Sequence, residues 1–265
     1  MNLSRFLIVG VLSLFIVLLT FKTGSAGRLP RHEFYQLTII HFQTAAQEHS
    51  IDSFLQQAYL PALHKEGVEK IGVFKGRAND TSANKIICVV IPVRAFDKLF
   101  QLSAALAKNK DYQAASTPYA DAPYSSPPYT RIENILLQDF PTETPLQAPS
   151  LNGPRKDRVY ELRSYESPTE KLFQNKVKMF TAGDEIGLFK RLNFNAIFYG
   201  QVIAGSKMPN LMYMTSFENM ADRDAHWKSF GDDQQWKKLS ALPEYQHNVS
   251  HIDITFLYPV EYSDL

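Results

Sequence analysis

Tyr35-Gln36-Leu37 and Tyr160-Glu161-Leu162 open two stretches that read alike, 125 residues apart. A parallel runs on from them. Phe54–Gly67 lies over Phe180–Asn193 at an offset of 126, with Leu60 over Ile186, Leu63 over Phe189 and, further on, Ile71 over Ile197. Ile86–Ile91 lies over Met212–Phe217 at the same offset, and Ile132–Leu137 over Ile252–Leu257 at 120. Few residues are identical. What repeats is the order of apolar patterns, the signature of one structural unit used twice.

Each copy reads strand, helix, strand, strand, helix, strand. Phe34–Phe42 and Val159–Tyr165 alternate as half-buried strands do. In the second copy Phe173, Val177 and Phe180 fall at i, i+4 and i+7, and Ile186 and Phe189 continue the stripe as one helix. Gly67 ends the first copy's helix, where a left-handed residue is needed; Asn193 holds that place in the second. Strands follow at about 71–75 and 85–92, then at 196–203 and 210–217. The second helices begin near Ala95 and Ala221. The order βαββαβ is the split βαβ, or ferredoxin-like, motif. One such sheet, covered by helices on one face, leaves the other face bare. Two copies bury those faces against each other and form a closed barrel within one chain.

Composition limits what the chain does. Its 265 residues carry 28 Lys+Arg against 27 Asp+Glu, and 45% are apolar, as in a globular protein. Near-zero charge gives no footprint for nucleic acid. The single Cys, Cys88, excludes an internal disulfide and a Cys-rich zinc site, and its apolar run Lys85–Ile91 reads as a buried strand. Phe6–Phe21 is apolar apart from Gly10, Ser13 and Thr20, and Gly24-Ser25-Ala26 offers small residues for cleavage after Ala26. Residues 1–26 therefore read as a secretory signal peptide, with an uncleaved anchor over 6–21 as the rival. Either way the rest of the chain leaves the cytoplasm, periplasmic or secreted. The expected domains are 31–140 and 158–265. The four-proline segment Pro141–Pro154 lies in the linker 141–157. Thr117–Thr130, with Tyr119, Tyr124 and Tyr129 among four Pro, reads as an irregular surface arm.

Tyr160–Tyr165, Arg223 with Trp227-Lys228-Ser229-Phe230, Asp233, Trp236 and the closing Tyr258–Ser263 resemble the NIPSNAP family across residues 158–265. The first copy lacks this signature. The resemblance implies an α+β fold in which two tandem ferredoxin-like domains pack sheet-to-sheet as an intrachain dimeric α+β barrel. It does not imply a settled reaction, because the wider barrel class includes cofactor-free monooxygenases, haem enzymes and proteins without known catalysis. Asn193 stands where the family usually has Gly.

Glu161, Arg163 and Tyr165 alternate along one strand and share a face. That face meets solvent or lines a polar cavity. In a cavity, Arg163 could hold a ligand carboxylate by paired hydrogen bonds; the other reading is an internal ion pair holding the sheet. Asp222 and His226, at i,i+4 on a helix, could orient an imidazole as a base or haem ligand, or form an exposed pair. Arg223 is spaced to lie on Trp227. No metal site is expected, since His247 falls in the loop before the strand that His251 begins. No nucleophile elbow, phosphate loop or zinc-protease motif occurs. The sequence fits a small-molecule-binding or protein-interaction module without a cofactor. The alternatives are a cofactor-free oxidoreductase or isomerase working in the C-terminal cavity, or a haem-associated barrel using His226. A small organic ligand and a second copy of the chain are the partners this allows. Nucleic acid is not among them, and a membrane is only if the N-terminal segment stays uncleaved.

Overall fold

A computed structural model describes residues 32–140 and 145–265, so the expected signal segment and its cleavage site lie outside the described residues. In the first half, β1 (Phe34–Phe42), β2 (Gly72–Gly76), β3 (Lys85–Val93) and β4 (Arg131–Asp139) form a sheet in the order β4-β1-β3-β2. In the second, β5 (Val159–Glu166), β6 (Asn195–Ala204), β7 (Asn210–Phe217) and β8 (His251–Pro259) form β6-β7-β5-β8. β2 then pairs with β8, and β4 with β6, closing one barrel. Each half runs βαββαβ, the two tandem ferredoxin-like units expected. The two sheets do more than face each other: their edges hydrogen-bond, which removes the exposed edges that invite aggregation.

Inside the barrel, Tyr35, Leu37, Phe74, Val90, Tyr160, Leu162, Met214 and Leu257 are buried in one cluster. Tyr35 meets Phe198 at 5.2 Å and Phe74 meets Tyr160 at 4.7 Å between ring centroids, each pair joining the two halves. Cys88 lies in this core, and burial pushes its thiol up to about 12. Two further clusters fill the space between each sheet and its own helices.

The helices form where caps and apolar stripes allow. Thr44 and Gln47 make a capping box that starts α1 (Ala45–Phe54), which continues through a π-helical turn into α2 (Leu60–Lys65). Gly67 and Asn193 both adopt positive φ, +76° and +58°, as their places after the helices require. The single helix expected over 173–189 is two: α5 (Glu170–Phe180) and α6 (Glu185–Arg191). Asp184 between them has φ +63°, and a side chain on Gly183 would lie 2.5 Å from the Met179 carbonyl. The break turns the stripe without interrupting its burial, so the apolar spacing alone does not show it. The second helices are α3 (Phe96–Leu106) and α7 (Met220–Asp232), with α8 (Gln234–Ala241) after α7. α4 (Lys110–Ala120) corrects the expected irregular arm, whose first residues finish this helix. Tyr119 stacks on Phe54 at 4.1 Å, Tyr129 lies 5.7 Å from Tyr119, and Tyr124 is fully exposed.

After β8 the chain crosses back to the first half. Leu265 is buried in the barrel core beside Gly72. Arg155 Nη1 donates to the backbone oxygens of Val260, Ser263 and Leu265 at 3.0–3.1 Å. Ser263 Oγ and Asp264 Oδ2 accept from the Val73 and Ile71 amides. Deleting residues 262–265 should therefore cost about 3–5 kcal/mol, from one buried Leu and several hydrogen bonds. A calorimetric melt is expected to fall by roughly 10 °C; an unchanged melting temperature would show that this tail does not tie the halves together.

Candidate functional site

β5 divides its side chains between two cores. Tyr160 and Leu162 enter the barrel, whereas Tyr165 belongs to the cluster beneath the second-half helices. Glu161 and Arg163 share that helix-facing side. The trio thus faces the helix layer and not the barrel interior, with Arg163 half-buried, and the internal Glu161–Arg163 ion pair read as the other possibility is present. α7 covers this face, and the opposite face of β5 fills the barrel.

Glu161 is fully buried and its carboxylate collects donors from three residues. Arg163 reaches Oε1 with Nε at 2.7 Å and Nη2 at 2.6 Å. Arg223 spans both oxygens, Nε to Oε2 at 2.8 Å and Nη2 to Oε1 at 3.0 Å. Trp227 Nε1 donates to Oε2 at 2.8 Å. Burial alone would raise the Glu161 carboxyl, but the Arg223 hydrogen bonds, the Arg163 charge and the Trp227 hydrogen bond outweigh it and hold it below the usual range. Arg163 Nη1 donates to Tyr165 Oη at 3.0 Å, and Tyr165 shares a 2.9 Å hydrogen bond with Tyr213. The guanidinium lying flat on Trp227 is that of Arg163, 3.6 Å from the ring centroid; Arg223 stands 5.8 Å away. Asn219 caps α7 by accepting from the Asp222 amide, and Asp222 Oδ2 accepts from the Glu218 amide. Those caps fix the turn from which Arg223 and Trp227, one helical turn apart, point at Glu161.

Asp222 and His226 do pair. His226 Nδ1 lies 2.8 Å from the Asp222 carbonyl oxygen and 3.2 Å from its Oδ1. Its ring packs at 5.4 Å from Phe194 and 5.5 Å from Phe217. Asp222 thus engages Nδ1 and orients the ring between Phe194 and Phe217. A second buried pair escaped the sequence reading: Lys176 Nζ and Glu185 Oε2, 2.9 Å apart. Burial raises the Glu185 carboxyl although Lys176 opposes it. Lys176 follows Phe173 by three residues, so its place on the covered side of the helix was the one available signal.

A cavity of about 300 Å³ lies elsewhere in the second half. β4 pairs with Gly200–Ala204 of β6, and among the described residues no strand pairs with Asn195–Tyr199 on that side. Residues 145–150 run along this edge, with the Gln147 amide donating to the Ile197 carbonyl at 3.0 Å and the Phe140 amide to the Tyr199 carbonyl at 3.3 Å. The cavity opens between this segment, β6 and α6. Its walls are mostly apolar, from Pro149, Ile186, Phe194, Ile197 and Phe198 among others, with Gln147, Ser150, Asn195 and Tyr199 as polar lining residues and Lys190 as the charged one.

Comparison with known proteins agrees with the fold. Residues 160–264, in the second half of the barrel, match the model of the NIPSNAP family. Among solved structures, a protein provisionally named a monooxygenase from Lactobacillus acidophilus aligns with a TM-score of 0.56 at 11% identity, covering 86% of this chain and 93% of its own. Another so named, from Fusobacterium nucleatum, gives 0.57 at 7%, with the same coverage. A NIPSNAP family protein from Agrobacterium tumefaciens gives 0.36 at 18%, covering 41% of this chain and 98% of its own. At such identities the first two likenesses show the fold alone. A search of curated protein sequences finds no match.

Arg163→Ala should leave Glu161 buried and short of donors, a loss of about 3–5 kcal/mol by chemical denaturation. Glu161→Gln should cost a similar amount. A loss under about 1 kcal/mol in both would mean that this cluster does not hold the helix layer. The pH dependence follows from the lowered carboxyl. The folded value lies below the unfolded one, so the stabilisation is complete above about pH 5 and drains as pH falls through the folded value. Denaturation curves of wild type should therefore steepen in their loss below about pH 4.5 relative to Glu161→Gln; parallel curves would contradict this.

Proposed function

We propose that the chain is a small-molecule-binding module, built of units 31–140 and 158–265 joined by 141–157, that works outside the cytoplasm. The cavity beside β6 carries this reading. The polar groups that looked reactive in the sequence are engaged with one another: Glu161 with Arg163, Arg223 and Trp227, and His226 with Asp222. At about 300 Å³ the cavity is at the lower end of ligand sites, which suits roughly one ring with a short substituent. Apolar walls favour an organic body, and Lys190 offers an anchor for an anionic group. The ligand class is then a small aromatic or branched carboxylate. Binding without turnover is preferred because, among the described residues, Lys190 and Tyr199 are the titratable side chains that line the walls and no carboxylate or imidazole joins them. Localisation rests on the apolar run 6–21 alone. Self-association is open to the same molecule, although the barrel needs no second copy to close.

Calorimetric titration with a series of simple aromatic carboxylates tests the reading. At least one should bind, Ile186→Trp should abolish binding by filling the space, and Lys190→Gln should weaken it roughly five- to tenfold. Affinity untouched by Ile186→Trp, or no binding across the series, would overturn it. Chemical conversion of a bound carboxylate would instead establish the oxidoreductase or isomerase alternative.

A further inference from the structure

The barrel interior is apolar along most of its length but changes character at one end. Glu166 and His251 are register partners across β5 and β8, and Ser164 and Asp253 form the next pair in register on that face. Ser164 exchanges hydrogen bonds with Asn210 of β7. Lys207, from the β6–β7 turn, places Nζ 2.6 Å from Asp253 Oδ2. This polar mouth opens onto a second cavity, of about 260 Å³, whose lining includes Glu133, Ser164, Lys207, Asn210 and Asp253 over a floor of Ile39, Leu162 and Met212.

We propose that Glu166, His251 and Asp253 form a binding site for a divalent transition metal, Zn²⁺ by preference, at the mouth of the barrel. Ligand-type atoms of the three residues lie within 4.8 Å of one another. His251 Nε2 already stands 3.0 Å from Asp253 Oδ1. Among the described residues, no side chain hydrogen-bonds or ion-pairs with the Glu166 carboxylate. The antiparallel register holds the three backbones in place; His251 is exposed, and Asp253, half-buried, is held by Lys207 and His251. One imidazole with two carboxylates suits Zn²⁺, Co²⁺ or Mn²⁺ better than Ca²⁺, which takes six to eight oxygens. Three protein ligands leave a coordination position open for water or a small anion, and Asp253 is the one of the three that also lines the 260 Å³ cavity. Lys207 identifies the spot as one that attracts positive charge. Its ammonium sits against Asp253, 2.6 Å from Oδ2. A bound metal competes with that ammonium for Asp253. The site is separate from the cavity beside β6 and does not depend on it.

The competition gives the test its distinguishing sign. Zn²⁺ titrated into the full chain by calorimetry should bind one ion per chain. His251→Ala and Glu166→Gln should each lower the affinity at least about tenfold, and Lys207→Ala should raise it several-fold. Co²⁺ should give a visible absorption band that Zn²⁺ displaces and that His251→Ala loses. All three positions lie at the rim, so thermal melts of the variants without metal should match wild type. No binding by wild type would overturn the proposal. So would binding elsewhere, seen as affinity indifferent to His251→Ala and Glu166→Gln, or weakened by Lys207→Ala.

Discussion

A four-stranded sheet with helices on one side has a bare apolar face and two unpaired edges. Each is a cost when left in water, the face through its hydrocarbon and the edges through unmet N–H and C=O groups. Here both needs are met by the other half of the same chain. Tyr35 against Phe198 and Phe74 against Tyr160 fill the space between the faces. β2 with β8 and β4 with β6 satisfy the edges. The linker, the returning tail and the polar mouth take their positions from that closure.

Closure also decides where polar chemistry can sit. The barrel interior is occupied by large side chains, so a buried charge has room only beneath the helices or at an end. Glu161 shows the first case. Its carboxylate is taken up by two guanidinium groups and an indole, an arrangement that fixes α7 over β5. The groups most suggestive of chemistry in the sequence are therefore part of the framework. The space open to a guest lies at the margins, beside the unpaired stretch of β6 and at the barrel mouth.

Much of the architecture was legible because it rests on local rules. Alternation marked the strands, and Gly67 and Asn193 marked helix ends by the left-handed conformation those residues tolerate. The break at Gly183-Asp184 was not legible, because Ile186 and Phe189 stay in phase with the preceding stripe. α4 was hidden by Pro118 and its polar composition. For the candidate site, the shared face of Glu161, Arg163 and Tyr165 could be read from strand period. What covers that face could not, since Arg223 and Trp227 are more than sixty residues away and meet Glu161 only through the fold. Glu166 and His251 likewise meet only through register. Lys176 and Glu185 are paired by the helix break that the stripe concealed.

When two identical chains build such a barrel, the symmetry axis makes every substitution twice, once on each side. Joining the halves covalently lifts that rule. Gln36, Thr38 and Ile40 in the first half stand where the second has Glu161, Arg163 and Tyr165. Gln36 and Thr38 simply hydrogen-bond to each other and to Asn134. At these positions the first half has an uncharged cluster where the second has an ionic lock, and a change made on one side carries no obligatory twin on the other.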